Sequence, residues 1–137
     1  MAALIADYLG GLPAFLAFFA VAAILTIVFV LIYTKITRHN EMALIKQNVP
    51  AAAIAFSGSL IGFALPLASA INNSAALLDM VLWGIIALIV QLVAYVVVRL
   101  FMPRVSERIE AGELAAGIWL GAASIAAGIL NAASMTT

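Results

Sequence analysis

His39 and Glu41 are the two residues whose types and spacing could perform chemistry. A histidine beside a carboxylate can act as a general base or form half of a metal site, but either role needs a nucleophile or further ligands nearby. Asn40 suits the cap of a short helix, and residues 103–105, which lie 64 positions later, bring no ligand. We therefore predict that Asn40 caps a helix and that water solvates His39. A docking role for His39, Asn40 and Glu41 toward a cytoplasmic partner stays open.

The rest of the sequence offers no other familiar kind of reactive site. The chain contains no cysteine, which removes disulfides, thiolate metal ligands and thiol chemistry. Phosphate-binding glycine loops, nucleophile elbows and basic patches for nucleic acid are also absent from the sequence. We therefore predict a protein that is not an enzyme, with no catalytic, cofactor-binding or metal-binding residue, no cofactor and no nucleic-acid partner.

The composition places the chain in a membrane. Of its 137 residues, 67% are hydrophobic and only 9% are charged, whereas a soluble domain carries about 25% charged residues. Four uncharged stretches approach the ~20 residues that a helix needs to cross the hydrocarbon core. They are residues 12–34, 50–71, 80–98 and 114–134. The expected fold is all-α, a polytopic bundle of four transmembrane helices that forms a single membrane domain over residues 1–137, with the lipid bilayer as its surroundings.

The basic residues predict the orientation of these helices. All six lie in the two segments that follow the first and third stretches. They are Lys35, Arg38, Lys46, Arg99, Arg104 and Arg108. By the positive-inside rule these two loops are cytoplasmic and both termini are periplasmic, and the expected location is a bacterial inner membrane.

An internal repeat divides the chain into two copies of a two-helix unit. Without a gap, the sequence aligns with itself at an offset of 64, which gives repeats over about residues 12–72 and 76–136. Lys35 aligns with Arg99, and Asn48 aligns with Gly112. Asn and Gly are the residues best able to take the left-handed conformation that ends a helix. Because each copy crosses the membrane twice, the copies are expected to be parallel. We expect a short interfacial cytoplasmic helix before each of these two residues, with its apolar side toward lipid or the bundle.

Glycines spaced by one helical turn mark the second and fourth stretches as packing helices. Small residues at this spacing allow the backbones of two membrane helices to approach closely. The glycines assigned to helix packing or oligomerisation are Gly58, Gly62, Gly117, Gly121 and Gly128. We expect these two helices at the centre, in contact with each other or with copies in neighbouring protomers.

Gln91 is the most polar side chain near the middle of a crossing. It could form a hydrogen bond to a neighbouring helix, or it could line a pathway. The other residues that could line such a polar path are Ser57, Ser59, Ser124 and Asn131. The sequence leaves both alternatives open.

Four segments resemble the YjfL family of small bacterial inner-membrane proteins, also described as domain of unknown function 350. They are residues 33–46, 55–62, 66–70 and 128–133. The resemblance implies an inner-membrane location and a repeated two-helix unit, and it implies no activity. We therefore expect a non-enzymatic component of a membrane or envelope complex that forms a homo-oligomer or docks a cytoplasmic or membrane partner. A small oligomeric channel or transporter is the alternative.

Overall fold

The computed structural model describes residues 1–135, which are helical almost throughout. The helices are α1 (Ala2–Ile36), α2 (Glu41–Lys46), α3 (Pro50–Asn73), α4 (Leu77–Phe101), α5 (Val105–Glu110) and α6 (Leu114–Ser134). Four of them, α1, α3, α4 and α6, are long and apolar enough to cross a membrane. The predicted all-α fold with four spans is therefore confirmed. Thr136, the last residue of the predicted second repeat, lies outside the described residues.

Local signals end and begin the helices at the loops. The Asn40 side chain accepts a hydrogen bond from the backbone N–H of Ala43 at 3.2 Å, which confirms the predicted cap of α2. Asn48 and Gly112 have φ angles of 62° and 82°, in the left-handed region, as predicted. Pro50 then occupies the start of α3, where its missing N–H costs no hydrogen bond.

The first helix is longer than the sequence predicted. It begins at Ala2, not near residue 12, and its 35 residues extend about 52 Å. Pro13 lies inside it, where a proline removes one backbone hydrogen bond without forcing a membrane helix to end. The helix therefore continues beyond the predicted apolar stretch, because Asp7, Gly10 and Gly11 reduce the apolar character of this segment without stopping the helix. The bounds of the other three spans agree with the prediction to within three residues.

The centre of the bundle is the seam between α3 and α6, where glycines bring the two backbones together. A side chain added at any of these glycines would collide with backbone atoms across the seam. The close approaches are Gly58 to Gly121, Gly62 to Ser124, Gly128 to Gly62, and Gly117 to Ala51. These faces are thus covered within one chain, so an oligomer would use other surfaces.

Aromatic side chains attach the second half of α1 to this centre. Phe29 of α1 stacks on Phe63 of α3 with ring centroids 4.5 Å apart. Tyr33 meets the ring of Tyr95 of α4 edge to face at 6.1 Å. Both α1 residues are buried, whereas the rest of α1 is exposed or only partly covered. The helix is therefore packed on the bundle along its second half, and residues 2–16 are exposed.

The short helices α2 and α5 turn their apolar sides toward the bundle. Val105 and Ile109 of α5 are fully buried. Leu44 and Ile45 of α2 are partly buried against the same core. Of the two orientations expected from the sequence, lipid or bundle, the structure has the second. Their depth relative to the membrane surface stays a prediction.

Candidate functional site

Five polar side chains from both halves of the chain meet where α2 and α5 pack on the long helices. We call this the loop end of the bundle, and the five residues the loop-end cluster. They are Thr37, His39, Glu41, Tyr95 and Ser106. His39 and Glu41 are only 2% and 1% exposed, and the other three are also buried. Within residues 1–135, this cluster contains the buried His and Glu side chains that lie outside the spans.

Each ring nitrogen of His39 has a hydrogen-bonding partner. Nδ1 lies 2.9 Å from Oγ of Ser106, and that hydroxyl lies 2.9 Å from the hydroxyl of Tyr95. Nε2 lies 3.3 Å from Oε1 of Glu41, to which the Thr37 hydroxyl also donates. Which ring nitrogen carries the proton depends on whether the Ser106 hydroxyl donates to Nδ1 or accepts from it. The imidazole therefore connects α4 and α5 to the start of α2.

These positions correct two predictions about residues 39–41. Water does not solvate His39, and neither His39 nor Glu41 can dock a partner in this conformation, because both side chains are buried. Asn40 is exposed and caps α2. The partners were missed because they do not lie at the aligned positions. Ser106 is 67 residues from His39 and directly follows the compared segment. A tyrosine hydroxyl at the end of an apolar span, as in Tyr95, was the available signal, because a buried hydroxyl needs a partner.

Burial shifts the two titratable groups in the directions that keep them uncharged. It lowers the pKa of His39 from 6.5 to about 4, so the imidazole is neutral at pH 7. Burial also raises the pKa of Glu41, although the hydrogen bond from Thr37 and one from the backbone act in the opposite direction. Oε2 of Glu41 is buried and has no hydrogen-bond partner within residues 1–135. An ionised Glu41 is thus poorly compensated at this site.

The arrangement Ser106–His39–Glu41 has the order of a nucleophile, a base and an acid. Its surroundings do not suit catalysis, because Ser106 is 5% exposed and its hydroxyl already contacts Tyr95. A substrate atom cannot reach it in this conformation. The part of the chain that the structure describes also has no group of three His, Asp or Glu residues that could hold a metal ion. The geometry supports a cluster that holds the loop end together.

A second polar group lies in the middle of the bundle. The hydroxyl of Ser59 lies 2.7 Å from that of Tyr33 and 3.2 Å from that of Ser124. Nε2 of Gln91 donates to the carbonyl of Ser124 at 3.1 Å. All four side chains are at most 1% exposed. They connect α1, α3, α4 and α6 to one another.

The residues proposed for a polar path do not share one surface. Ser59, Gln91 and Ser124 face one another inside the bundle. Ser57 instead lies on the outer side of the α3–α6 seam, in an apolar groove of about 430 Å³. Asn131 lies near the C-terminal end of α6, where its Nδ2 is buried without a hydrogen-bond partner among residues 1–135. A continuous path along these five residues is not open in this conformation.

We expect Gln91→Met to change the free energy of unfolding by less than about 1 kcal/mol, because a hydrogen bond between membrane helices contributes about 0.6 kcal/mol on average. The change also removes Oε1 of Gln91, which has no partner among the described residues. Unfolding in mixed micelles with increasing dodecyl sulfate measures the difference. Gln91→Glu is the contrast, because it introduces a buried carboxylate and should destabilise the fold more strongly. A loss above about 2 kcal/mol for Gln91→Met would contradict this account.

Comparison with known proteins identifies the family. The family model described as Domain of Unknown Function (DUF350) matches residues 7–135. The chain belongs to the DUF350 family. The chain is also 48% identical over 128 residues to the UPF0719 inner membrane protein YjfL of Escherichia coli strain K12. The matched region covers 93% of this chain and 97% of that relative. The chain is 25% identical over 103 residues to the UPF0719 transmembrane protein YshE of Bacillus subtilis strain 168, over 74% of this chain and 77% of the relative.

The resemblance predicted from the sequence is therefore confirmed, and the chain is an integral membrane protein of the DUF350 family. No solved structure matches the chain. The names of these relatives give a membrane location and no activity.

Proposed function

We propose that this protein is a non-enzymatic inner-membrane component that assembles with further copies of itself through α1, as part of a membrane-associated complex. The observation that carries the proposal is the exposure of α1. Every residue from 2 to 16 is exposed, although this segment is helical and mostly apolar. A surface of this kind is typical of a region that another chain covers.

The length of α1 supports a position beyond the bundle for the first part of this segment. A helix tilted by about 20° needs about 21 residues to cross 30 Å of hydrocarbon, and counting back from Thr34 that length ends at Ala14. The C-terminal end of α3 lies beside α1 near Ala14, in an apolar groove lined by residues that include Phe15 and Ser74. The twelve residues before Ala14 extend about 18 Å further. We call residues 2–13 the α1 extension.

The α1 extension presents large apolar side chains outside the hydrocarbon core. Leu4, Ile5 and Leu9 are 54%, 51% and 61% exposed. Each buried apolar side chain of this size stabilises an association by roughly 1.5–3 kcal/mol before the entropic cost of binding. A contact that covers several of these side chains is therefore favourable.

A second copy of the chain fits this surface because the α1 extension carries a row of small residues. Ala2, Ala6 and Gly10 follow one another at intervals of four. A Cβ atom added at Gly10 would have no neighbour within 4 Å, so this row is not used inside the chain. Helices with small residues one turn apart pack closely against each other. In a twofold dimer the same row serves both partners.

Charge supports the placement of the α1 extension on the periplasmic side. The six basic residues all lie at or near the loop end, which the positive-inside rule assigns to the cytoplasm. YjfL of Escherichia coli is named an inner membrane protein. We propose the same membrane for this chain, with both termini in the periplasm.

A channel within one chain receives less support from this geometry. Ser59 and Ser124 contact each other, and Gln91 bonds to the α6 backbone. Next to them, Gly62 and Gly128 bring the backbones of α3 and α6 into contact. Water or a solute could pass only if this seam opened.

Single cysteines test the proposed contact directly, because the natural chain has none. We expect Leu9→Cys to form a covalent dimer in native membranes under mild oxidation, at about twice the 14.3 kDa chain mass. Leu78→Cys is the matched control, because Leu78 is 67% exposed and lies at the same end of the bundle. A product of another mass would indicate a different partner, and equal dimer yields at both positions would contradict a contact through α1.

We expect Gly10→Leu to weaken the dimer by at least about tenfold, which corresponds to about 1.4 kcal/mol, because the larger side chain separates the two helices. The unfolding of the single chain should not change, since Gly10 has open space around it. Gly11→Leu is the control, because it makes the same replacement in equally open space about 100° around the helix. Sedimentation in detergent measures both. Equal effects of the two substitutions would overturn the proposed face.

A further inference from the structure

The four arginines at the loop end fall into two groups. Arg104 and Arg108 have acidic partners, with the side-chain nitrogens 2.9 Å from Glu107 and 3.2 Å from Glu113. For Arg38 and Arg99, by contrast, no acidic side chain within residues 1–135 lies at ion-pair distance. Two arginines therefore keep an uncompensated positive charge, and a second feature brings them together.

Tyr95 contacts both of these arginines, Arg99 through its side chain and Arg38 through its backbone. The guanidinium carbon of Arg99 lies 5.9 Å from the centre of the Tyr95 ring. The backbone N–H of Arg38 donates to the hydroxyl of the same residue at 3.3 Å. Ser106 contacts that hydroxyl and Tyr33 contacts the ring, so the position of Tyr95 is determined from several sides. One arginine from each half of the chain is thereby held next to the place where α1 and α4 end.

Exposed apolar side chains lie beside the two arginines. Ile36 ends α1, and Leu100 and Phe101 end α4, with 43%, 73% and 81% of their surfaces exposed. The ends of spanning helices lie near the boundary between hydrocarbon and headgroups. Positive charge therefore adjoins apolar surface at the depth where a phospholipid carries its phosphate above its acyl chains.

We propose that Arg38 and Arg99 bind the phosphate of an anionic phospholipid where α1 and α4 end, with Tyr95 as the positioning residue between them. A guanidinium group matches a phosphate with two parallel hydrogen bonds, and basic pockets between membrane helices select anionic headgroups. The apolar residues at the helix ends contact the acyl chains, which distinguishes a lipid from inorganic phosphate. The inference is independent of the self-assembly proposed for α1.

Native mass spectrometry of the detergent-solubilised protein, titrated with phosphatidylglycerol, tests this site. We expect the wild type to bind one lipid with a defined Kd, and Arg38→Gln/Arg99→Gln to weaken it by at least about tenfold. Arg104→Gln/Arg108→Gln is the matched control. It removes two arginines from the same end, but both have carboxylate partners, so we expect a change of no more than about twofold.

Further arms separate the proposal from its alternatives. Arg38→Gln alone should still weaken binding by about threefold to fivefold; its side chain is exposed, so the variant should fold. Equal losses of lipid affinity in the two double variants would mean that the positive charge of the loop end attracts anionic lipid without a specific site. That result would overturn the proposal. Retained binding in Arg38→Gln/Arg99→Gln would overturn it as well. Displacement of the lipid by an equal concentration of inorganic phosphate would exclude the lipid as the occupant.

Discussion

Gly62→Val should lower the free energy of unfolding by about 3 kcal/mol or more, the upper end of the usual cost of overpacking. A Cβ atom at Gly62 would fall on the carbonyl oxygen of Ser124 and would lie 2.7 Å from Nε2 of Gln91. The oxygen belongs to the backbone of α6 and cannot rotate away, so the two central helices must separate. Helix content followed by circular dichroism during dodecyl sulfate unfolding measures the loss.

Gly11→Leu is the control for this experiment, because it enlarges a glycine that has open space around it and lies off the proposed dimer face. Its unfolding curve should coincide with that of the wild type. If Gly62→Val also unfolded within about 1 kcal/mol of the wild type, α3 and α6 would not pack as described.

The same geometry changes how assembly has to be tested. From the sequence alone, Gly58→Leu and Gly121→Leu are the natural tests of an oligomer. In the structure a Cβ atom at Gly58 collides with the backbone at Gly121, so these substitutions damage the fold of the single chain. A loss of oligomer in them would not locate the interface. Substitutions in the α1 extension avoid this difficulty.

Glu41→Gln should make the fold less stable as the pH falls from about 6.5 to about 4. The variant leaves His39 as the titrating member of the buried pair, with its pKa lowered by burial from 6.5 to about 4. In this window the unfolded chain binds a proton that the folded chain does not, so acid favours unfolding. The loss is on the order of 3 kcal/mol over the window. Chemical unfolding at a series of pH values measures it.

His39→Gln should have the opposite slope. This variant leaves Glu41, whose pKa burial raises. The folded chain then holds a proton that the unfolded chain releases, so stability falls as the pH rises through the window between the unfolded and the raised pKa. In the wild type the two titrations partly oppose each other, and its stability should depend on pH less steeply than that of either variant.

The same two curves test whether the pair is buried. Tyr95 and Ser106 are the groups that face the pair from α4 and α5, and Arg99 lies over the Tyr95 ring. His39→Gln/Glu41→Gln removes both titrations and should have the flattest profile. If neither single variant had a pH-dependent stability in its window, both side chains would be solvated and the buried pair would be contradicted.

Part of the candidate site could be read from the sequence, and part could not. Asn40 was identified as a cap because a capping side chain bonds within three residues, to Ala43. The role of His39 could not be found in this way, because Ser106 lies 67 residues away on another helix. The contact depends on how α5 folds back on the bundle, and local spacing contains no information about that distance.

The central seam was also predicted only in part. The glycine spacing marked α3 and α6 as helices whose backbones approach a neighbour. It could not distinguish contact within one chain from contact between copies, because the packing geometry is the same in both. The parallel repeat stays a prediction, because the aligned residues are mostly apolar. The orientation in the membrane stays a prediction as well, because it rests on the basic residues alone.

The sequence by itself determined the class of the protein, its four spans, the caps at Asn40, Asn48 and Gly112, and the family. Each of these follows from hydrophobic length, backbone preference or direct similarity, which act over neighbouring residues or along the whole chain. Only the tertiary structure decided that His39 and Glu41 are buried and that α1 continues past the bundle. Burial and exposure depend on which helices lie beside a residue, and that is a property of packing in space.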